Sequence, residues 1–156
     1  MKNTIPVSSL LHDKNPVVWS VAPATTVFEA IQLMATKNIG AVPVMSGGIL
    51  VGIFTERDYT RKIALCGKSS KDTLVWQVSS NQVISVTPEV SLAECMRLMT
   101  ENRVRHLPVL QGSELIGIIS IGDLVNWIIS SQAATIAQME QYIAGSYVEP
   151  AELAVP

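Results

Sequence analysis

Thr55-x-x-Asp58 and Ser120-x-x-Asp123 are the two motifs in this chain best suited to chemistry. Each sets a carboxylate three residues after a hydroxyl, directly behind an apolar run. A hydroxyl at N-cap with an acid at N3 satisfies the free N–H groups of a helix start, and that role alone accounts for both motifs. A carboxylate held there can also accept hydrogen bonds from both hydroxyls of a ribose. The helix N-terminus and neighbouring hydroxyl can then serve a phosphate or sugar oxygen. A second cluster, Arg103, Arg105 and His106, lies just before the apolar stretch Leu107 to Leu110. A guanidinium suits bidentate contact with phosphate, and the first motif holds its own Arg57. Lys68-Ser69-Ser70 is either a solvated linker or a loop that wraps a polyphosphate with backbone N–H groups and a lysine.

Other chemistries find little to build on. No nucleophile, base and orienting group come together, so no catalysis is expected. Two histidines, two cysteines and no C-x-x-C offer no structural metal site. Cys66 and Cys95 are expected as free thiols, with Cys95 buried on an apolar helix face. A net charge of −2 lacks the basic surplus of a nucleic-acid binder. No apolar run approaches the roughly 18 residues that span a bilayer. The N-terminus lacks the long apolar stretch and cleavage site of a secretory signal, so a cytoplasmic location is expected. With 48% apolar and 15% charged residues among 156, the chain should have a large core or an apolar subunit interface.

The elements that position these residues occur twice. Val21 to Ile63 lies on Val86 to Ile128 at a constant offset of 65 residues, without a gap. Pro43/Pro108, Gly52/Gly117 and Asp58/Asp123 are among the identities. Such self-similarity marks a duplicated supersecondary unit. Each copy is near 60 residues, where burial is marginal, so the two should share a core about a pseudo-twofold axis. Each opens with an extended piece ending at Pro23 or Pro88. A helix follows behind the capping boxes Thr26-x-x-Glu29 and Ser91-x-x-Glu94. Its apolar face is Val27, Ala30, Ile31 and Met34, or Leu92, Cys95, Met96 and Met99. A hairpin turns at Ser46-Gly47-Gly48 or Gln111-Gly112-Ser113. A second helix runs from about Glu56 to Leu65, and from about Gly122 to Ile129. The class is α+β, with two β-α-β-β-α repeats plus a C-terminal helix.

The expected division is an N-terminal segment over 1–16, repeat 1 over 17–66, a linker over 67–81 and repeat 2 over 82–131. A C-terminal helix over 132–145 and a disordered tail over 146–156 complete the chain. Ile136, Met139, Tyr142 and Ile143 keep a helical spacing, so the C-terminal helix should pack on the body or on another subunit.

The doubled unit resembles a pair of CBS domains, a Bateman module. The resemblance rests on Gly40-Ala41-Val42-Pro43-Val44 with Gly52-Ile53-Phe54-Thr55-Glu56-Arg57-Asp58. In the second copy it rests on Val104-Arg105-His106-Leu107-Pro108-Val109 with Gly117-Ile118-Ile119-Ser120-Ile121-Gly122-Asp123. Small stand-alone CBS-pair proteins of bacteria and plant mitochondria are similar. The resemblance implies that Thr55, Asp58, Ser120 and Asp123 hold ribose, and that Arg105 and His106, with Arg103 nearby, face a phosphate. It also implies a base slot against the opening piece of the opposite copy. That is Val18-Trp19 for the Asp123 cleft and Val83-Ile84 for the Asp58 cleft, with Ile39 or Val104 closing the far side. Plain core is the equal alternative for Trp19. Gly40 and Ile118, from the family motifs, complete the candidate set.

Arg105 and His106 stand where the first copy has Gly40 and Ala41, so the clefts should be unequal. They should serve the Ser120–Asp123 cleft directly, and Arg105 could reach the Thr55–Asp58 cleft across the dyad. The expected function is a non-catalytic sensor for AMP, ADP, ATP or NAD(H), with adenine the first choice of base and guanine still open. No obligatory cofactor is expected, and the nucleotide is a regulatory ligand. The expected assembly is a homodimer acting on an effector protein, away from membranes and nucleic acid. The competing reading is a protein-interaction module that regulates a partner enzyme without a nucleotide.

Overall fold

In the computed structural model, which describes residues 4–14 and 17–146, the duplication is legible in backbone geometry as well as in sequence. Helix α2 (Val27–Lys37) leads to a hairpin of β1 (Ala41–Ser46) and β2 (Ile49–Thr55). Helix α4 (Leu92–Asn102) leads in the same way to β3 (His106–Gln111) and β4 (Glu114–Ser120). Between them come α3 (Glu56–Asp58), which runs on as a π-helical stretch Tyr59–Ala64, and a short 3-10 turn, Val75–Gln77. Helix α1 (Val7–Asp13) precedes everything, and α5 (Ile121–Ser146) ends the described chain.

Local chemistry explains the repeated elements. Thr26 Oγ1 accepts from the Glu29 N–H while Glu29 accepts from the Thr26 N–H, a complete capping box. The second box is only half made. Ser91 accepts from the Glu94 N–H, but the Glu94 carboxylate is taken by Arg97. Both helices end on a left-handed residue, Asn38 and Arg103, each at φ 53°. The hairpins use two-residue turns. Gly47 and Gly48 both have positive φ, whereas in the second turn only Gly112 does. Both hairpins carry a bulge at the same place, Val44/Met45 and Val109/Leu110.

The opening extended pieces form no strand. Each makes a single parallel bridge, Val21 with Val44 and Val86 with Val109, so each sheet has two strands. The first core gathers Val21, Val27, Ala30, Met34, Val42, Val44, Phe54 and Ile63. In the second copy Val86, Leu92, Cys95, Met99, Leu107, Val109 and Ile119 are buried at matching positions. Ile31 is half-buried, and Met96 is 40% exposed rather than part of the apolar face.

The segments outside the repeats dock reciprocally. The stretch 73–80, which precedes repeat 2, lies on repeat 1. Val27 N–H donates to Thr73 O, Val75 N–H to Thr25 O, and Ser80 and Ile53 exchange backbone hydrogen bonds. The stretch 5–14, which precedes repeat 1, lies on repeat 2 in the same way. Leu92 N–H donates to Ile5 O, and Val7 N–H to Val90 O. Val75 and Val78 enter the first core, and Val7 and Leu10 are buried at the corresponding places.

The chain divides into two compact units, 1–121 and 122–156. The second helix of repeat 2 and the expected C-terminal helix are one element, α5. Its Ile136, Met139, Tyr142 and Ile143 are exposed in the single chain. The expected tail from 147 to 156 lies outside the described residues. Cys66 is exposed and Cys95 buried, and both are free thiols. Among the described residues no helix is long and apolar enough to cross a membrane.

Candidate functional site

The Thr55–Asp58 helix start is built as its sequence dictates. Thr55 Oγ1 accepts from the Asp58 N–H at 3.1 Å, and Asp58 Oδ2 accepts from the Thr55 N–H at 3.0 Å and from its hydroxyl at 3.1 Å. The second carboxylate oxygen, Oδ1, pairs with Lys62 Nζ at 3.1 Å, and the Asp58 side chain is only 15% exposed. Lys62 also donates to Val78 O at 2.9 Å, which fixes it between the helix and the docked segment.

This helix start opens into a cavity of about 360 Å³. Ten of the candidate residues line it: Gly40, Thr55, Arg57, Asp58, Val83, Ile84, Arg103, Val104, Arg105 and His106. Its apolar lining is Ile53, Val83, Ile84, Val104 and Pro108. The lining also carries five cationic side chains, Arg57, Arg61, Lys62, Arg103 and Arg105, against Glu56 and Asp58. Charge of one sign in a concave site concentrates the field toward an anion. Arg57 reaches across from repeat 1, donating from Nη1 to Arg103 O at 2.7 Å. Gly40 leaves room for His106. A Cβ there would stand 3.3 Å from the His106 ring and 3.6 Å from the Glu56 carboxylate. The smaller residue in one copy thus accommodates the larger one in the other.

Several candidates lie elsewhere. Arg105 and His106 line the Thr55–Asp58 cavity, where the sequence had directed them first to the other cleft. They arrive because β3 begins at the meeting of the repeats. Ser120 pairs with His106 in the β3–β4 register. Asp123 lies in the first turn of α5, in the second unit, and neither residue lines the cavity. Ile39 packs against the first core. Trp19 is not core and does not line this cavity. It is 38% exposed, with Lys37 Nζ 4.1 Å above its ring centroid.

Val18 and Ile118 meet Leu11, Lys14 and Gly117 at a smaller hollow of about 100 Å³. Lys14 Nζ donates there to Ile118 O at 2.7 Å. The loop Lys68-Ser69-Ser70 does not line the cavity. Its backbone is committed locally, Lys68 N–H to Ile63 O, Phe28 N–H to Ser70 O and Thr73 Oγ1 to Ser69 O.

The sequence reading missed Ile53, Glu56, Arg61, Lys62, Ser80, Gln82 and Pro108. Arg61 and Lys62 were within reach of it, because positions three and four after Asp58 share its helix face. Their placement on a π-helical stretch, closed by Leu65 N–H to Thr60 O, was not. Ser80 and Gln82 enter only because their segment docks back on β2.

The sequence profile of the CBS domain matches this chain over residues 7–65 and 75–130. A mitochondrial CBS domain-containing protein of Arabidopsis thaliana, CBSX3, is 42% identical over 127 residues. The match covers 78% of this chain and 62% of the plant protein, so the chain spans less than two thirds of that relative. The CBS domain-containing protein YhcV of Bacillus subtilis is 34% identical, over 82% of this chain and 91% of its own length. A solved CBS-domain protein of Burkholderia ambifaria superposes with a TM-score of 0.79 at 48% identity, covering 81% of this chain and 96% of that one.

Proposed function

The chain belongs to the CBS-domain family, and from that premise we propose that it is a non-catalytic regulatory module binding an adenosine-containing nucleotide in the Thr55–Asp58 cavity. The observation that carries this reading is convergence. A helix start with a carboxylate, five apolar residues and five cationic side chains, drawn from both repeats, line one cavity of about 360 Å³.

Each kind of lining residue has a matching ligand group. The Asp58 carboxylate and Thr55 hydroxyl accept from the ribose hydroxyls. The flat base enters against Ile53, Val83, Ile84 and Val104. The phosphates meet Arg103, Arg105 and His106. To act as a signal, the ligand must bind one conformation of the module, or of its complex with an effector, more tightly than another. The module works as a homodimer in this reading.

Calorimetry and thermal shift against AMP, ADP, ATP, NAD(H), GMP and S-adenosylmethionine test it. A ligand at 100 times its Kd stabilises the folded state by about 2.7 kcal/mol. Asp58→Ala should remove that response. If no adenosine ligand shifts the wild type, the nucleotide reading fails and a ligand-free docking module takes its place.

A further inference from the structure

The connection from α4 to β3, residues 103–105, carries two of the cavity's arginines, Arg103 and Arg105, and leads into His106. Its backbone ties are of two kinds. Within repeat 2, Arg103 N–H donates to Thr100 O at 3.4 Å, Val104 N–H to Met99 O at 3.0 Å, and Ile121 N–H to Arg105 O at 2.8 Å. From repeat 1, Arg57 Nη1 donates to Arg103 O at 2.7 Å. The first kind recurs in the other copy at the same offset. There Asn38 N–H donates to Ala35 O at 3.4 Å, Ile39 N–H to Met34 O at 3.0 Å, and Glu56 N–H to Gly40 O at 3.0 Å. The Arg57 bond cannot recur. The residue 65 positions after Arg57 is Gly122, which has no side chain to donate. The same connection thus folds in copy 1 without such a strut. The strut is found where the connection brings cations to the cavity.

From this asymmetry we infer that Arg57 is a positioning residue for the anion end of the cavity. Arg103 and Arg105 are exposed and carry like charge on a three-residue connection, so repulsion favours splaying them into solvent. Arg103 also holds a left-handed backbone, φ 53°. Arg57 is half-buried, and its grip on the Arg103 carbonyl keeps the connection ordered before any phosphate arrives. Ordering a loop in advance raises affinity by removing that cost from binding. The inference rests on the nucleotide reading and deepens it: Arg57 acts on the phosphate through Arg103 and Arg105, not as a phosphate contact of its own.

Hydrogen exchange of the nucleotide-free chain, with calorimetry against ATP and adenosine, tests it. Arg57→Met removes the donor and keeps the length of the side chain. The amides of Arg103 and Val104 should then exchange at least about fivefold faster, with those of Asn38 and Ile39 unchanged. Arg57→Met should weaken ATP about tenfold and leave adenosine within about twofold. In an Arg103→Met, Arg105→Met background, Arg57→Met should weaken ATP no further, because the residues it acts through are gone. Unchanged exchange at Arg103 and Val104 overturns the inference. So does an ATP loss of equal factor in both backgrounds, which would make Arg57 a direct phosphate contact and leave the nucleotide reading intact. A wild type that binds neither ATP nor adenosine sinks the nucleotide reading instead, and the strut then stands or falls on exchange alone.

Discussion

Asp58 has two roles that pull on the same carboxylate. One oxygen closes the capping box with Thr55, and the other holds Lys62. Asp58→Ala should therefore cost about 0.5–2 kcal/mol of stability as well as the nucleotide response, and urea titration beside calorimetry separates the two losses. Arg103 shows a different tension. A left-handed backbone costs a residue with a Cβ about 1–2 kcal/mol, and here it places an arginine at the cavity. Arg103→Gly should raise stability by about 1 kcal/mol while weakening nucleotide binding by about tenfold or more, the loss of one charge-assisted hydrogen bond. Cys95 gives a pH signature. Burial, helped by the charge of Glu94, pushes its thiol up from 9.0 to about 11. A pKa raised on folding means the native state holds the proton more tightly. That stability is whole below pH 9 and is lost as pH rises toward 11. Urea titrations across this window should show a fall on the order of 1–2 kcal/mol after solvent screening. Cys95→Ala should flatten the slope.

At the scale of elements, the two docked segments do the same job with different chemistry. Gly52 lies beneath the Ser80 backbone, where a Cβ would come 3.0 Å from the carbonyl oxygen. Gly117 lies beneath Leu11, where a Cβ would come 2.7 Å from Cδ2. The tip of a leucine side chain can turn aside, but a paired backbone carbonyl cannot. Gly52→Ala should accordingly cost more than Gly117→Ala, about 1–3 kcal/mol. Leu11→Ala should relieve the Gly117→Ala penalty, a coupling that a double-mutant cycle in urea reads directly. The capping boxes, the glycine turns and the inward faces of α2 and α4 were legible in sequence because each depends on neighbours within about four residues. The half-made second box was not. Arg97 competes for Glu94 on the same helix face, and spacing alone does not say which partner wins.

For the first unit as a whole, the reciprocal docking means that neither repeat completes its core alone. Val75 and Val78 come to repeat 1 from beyond its end, and Ile5 and Val7 come to repeat 2 from before repeat 1 begins. Residues 4–121 should unfold in one transition, with hydrogen exchange in β1 and β3 reporting the same free energy. Two separated transitions would contradict that coupling. The sequence alone determined that one unit occurs twice, where the first helix of each copy starts and where each hairpin turns, and that a hydroxyl and a carboxylate sit together at a helix start. These follow from local hydrogen bonding and from positive φ at glycines. Only the tertiary structure decided which cations meet Asp58, that Gly40 makes room for His106, that Trp19 stays at the surface under Lys37, and that each repeat is completed by a segment from outside itself. Those pairings join residues far apart in the chain, and their free energy comes from surfaces that exist only once the repeats have packed.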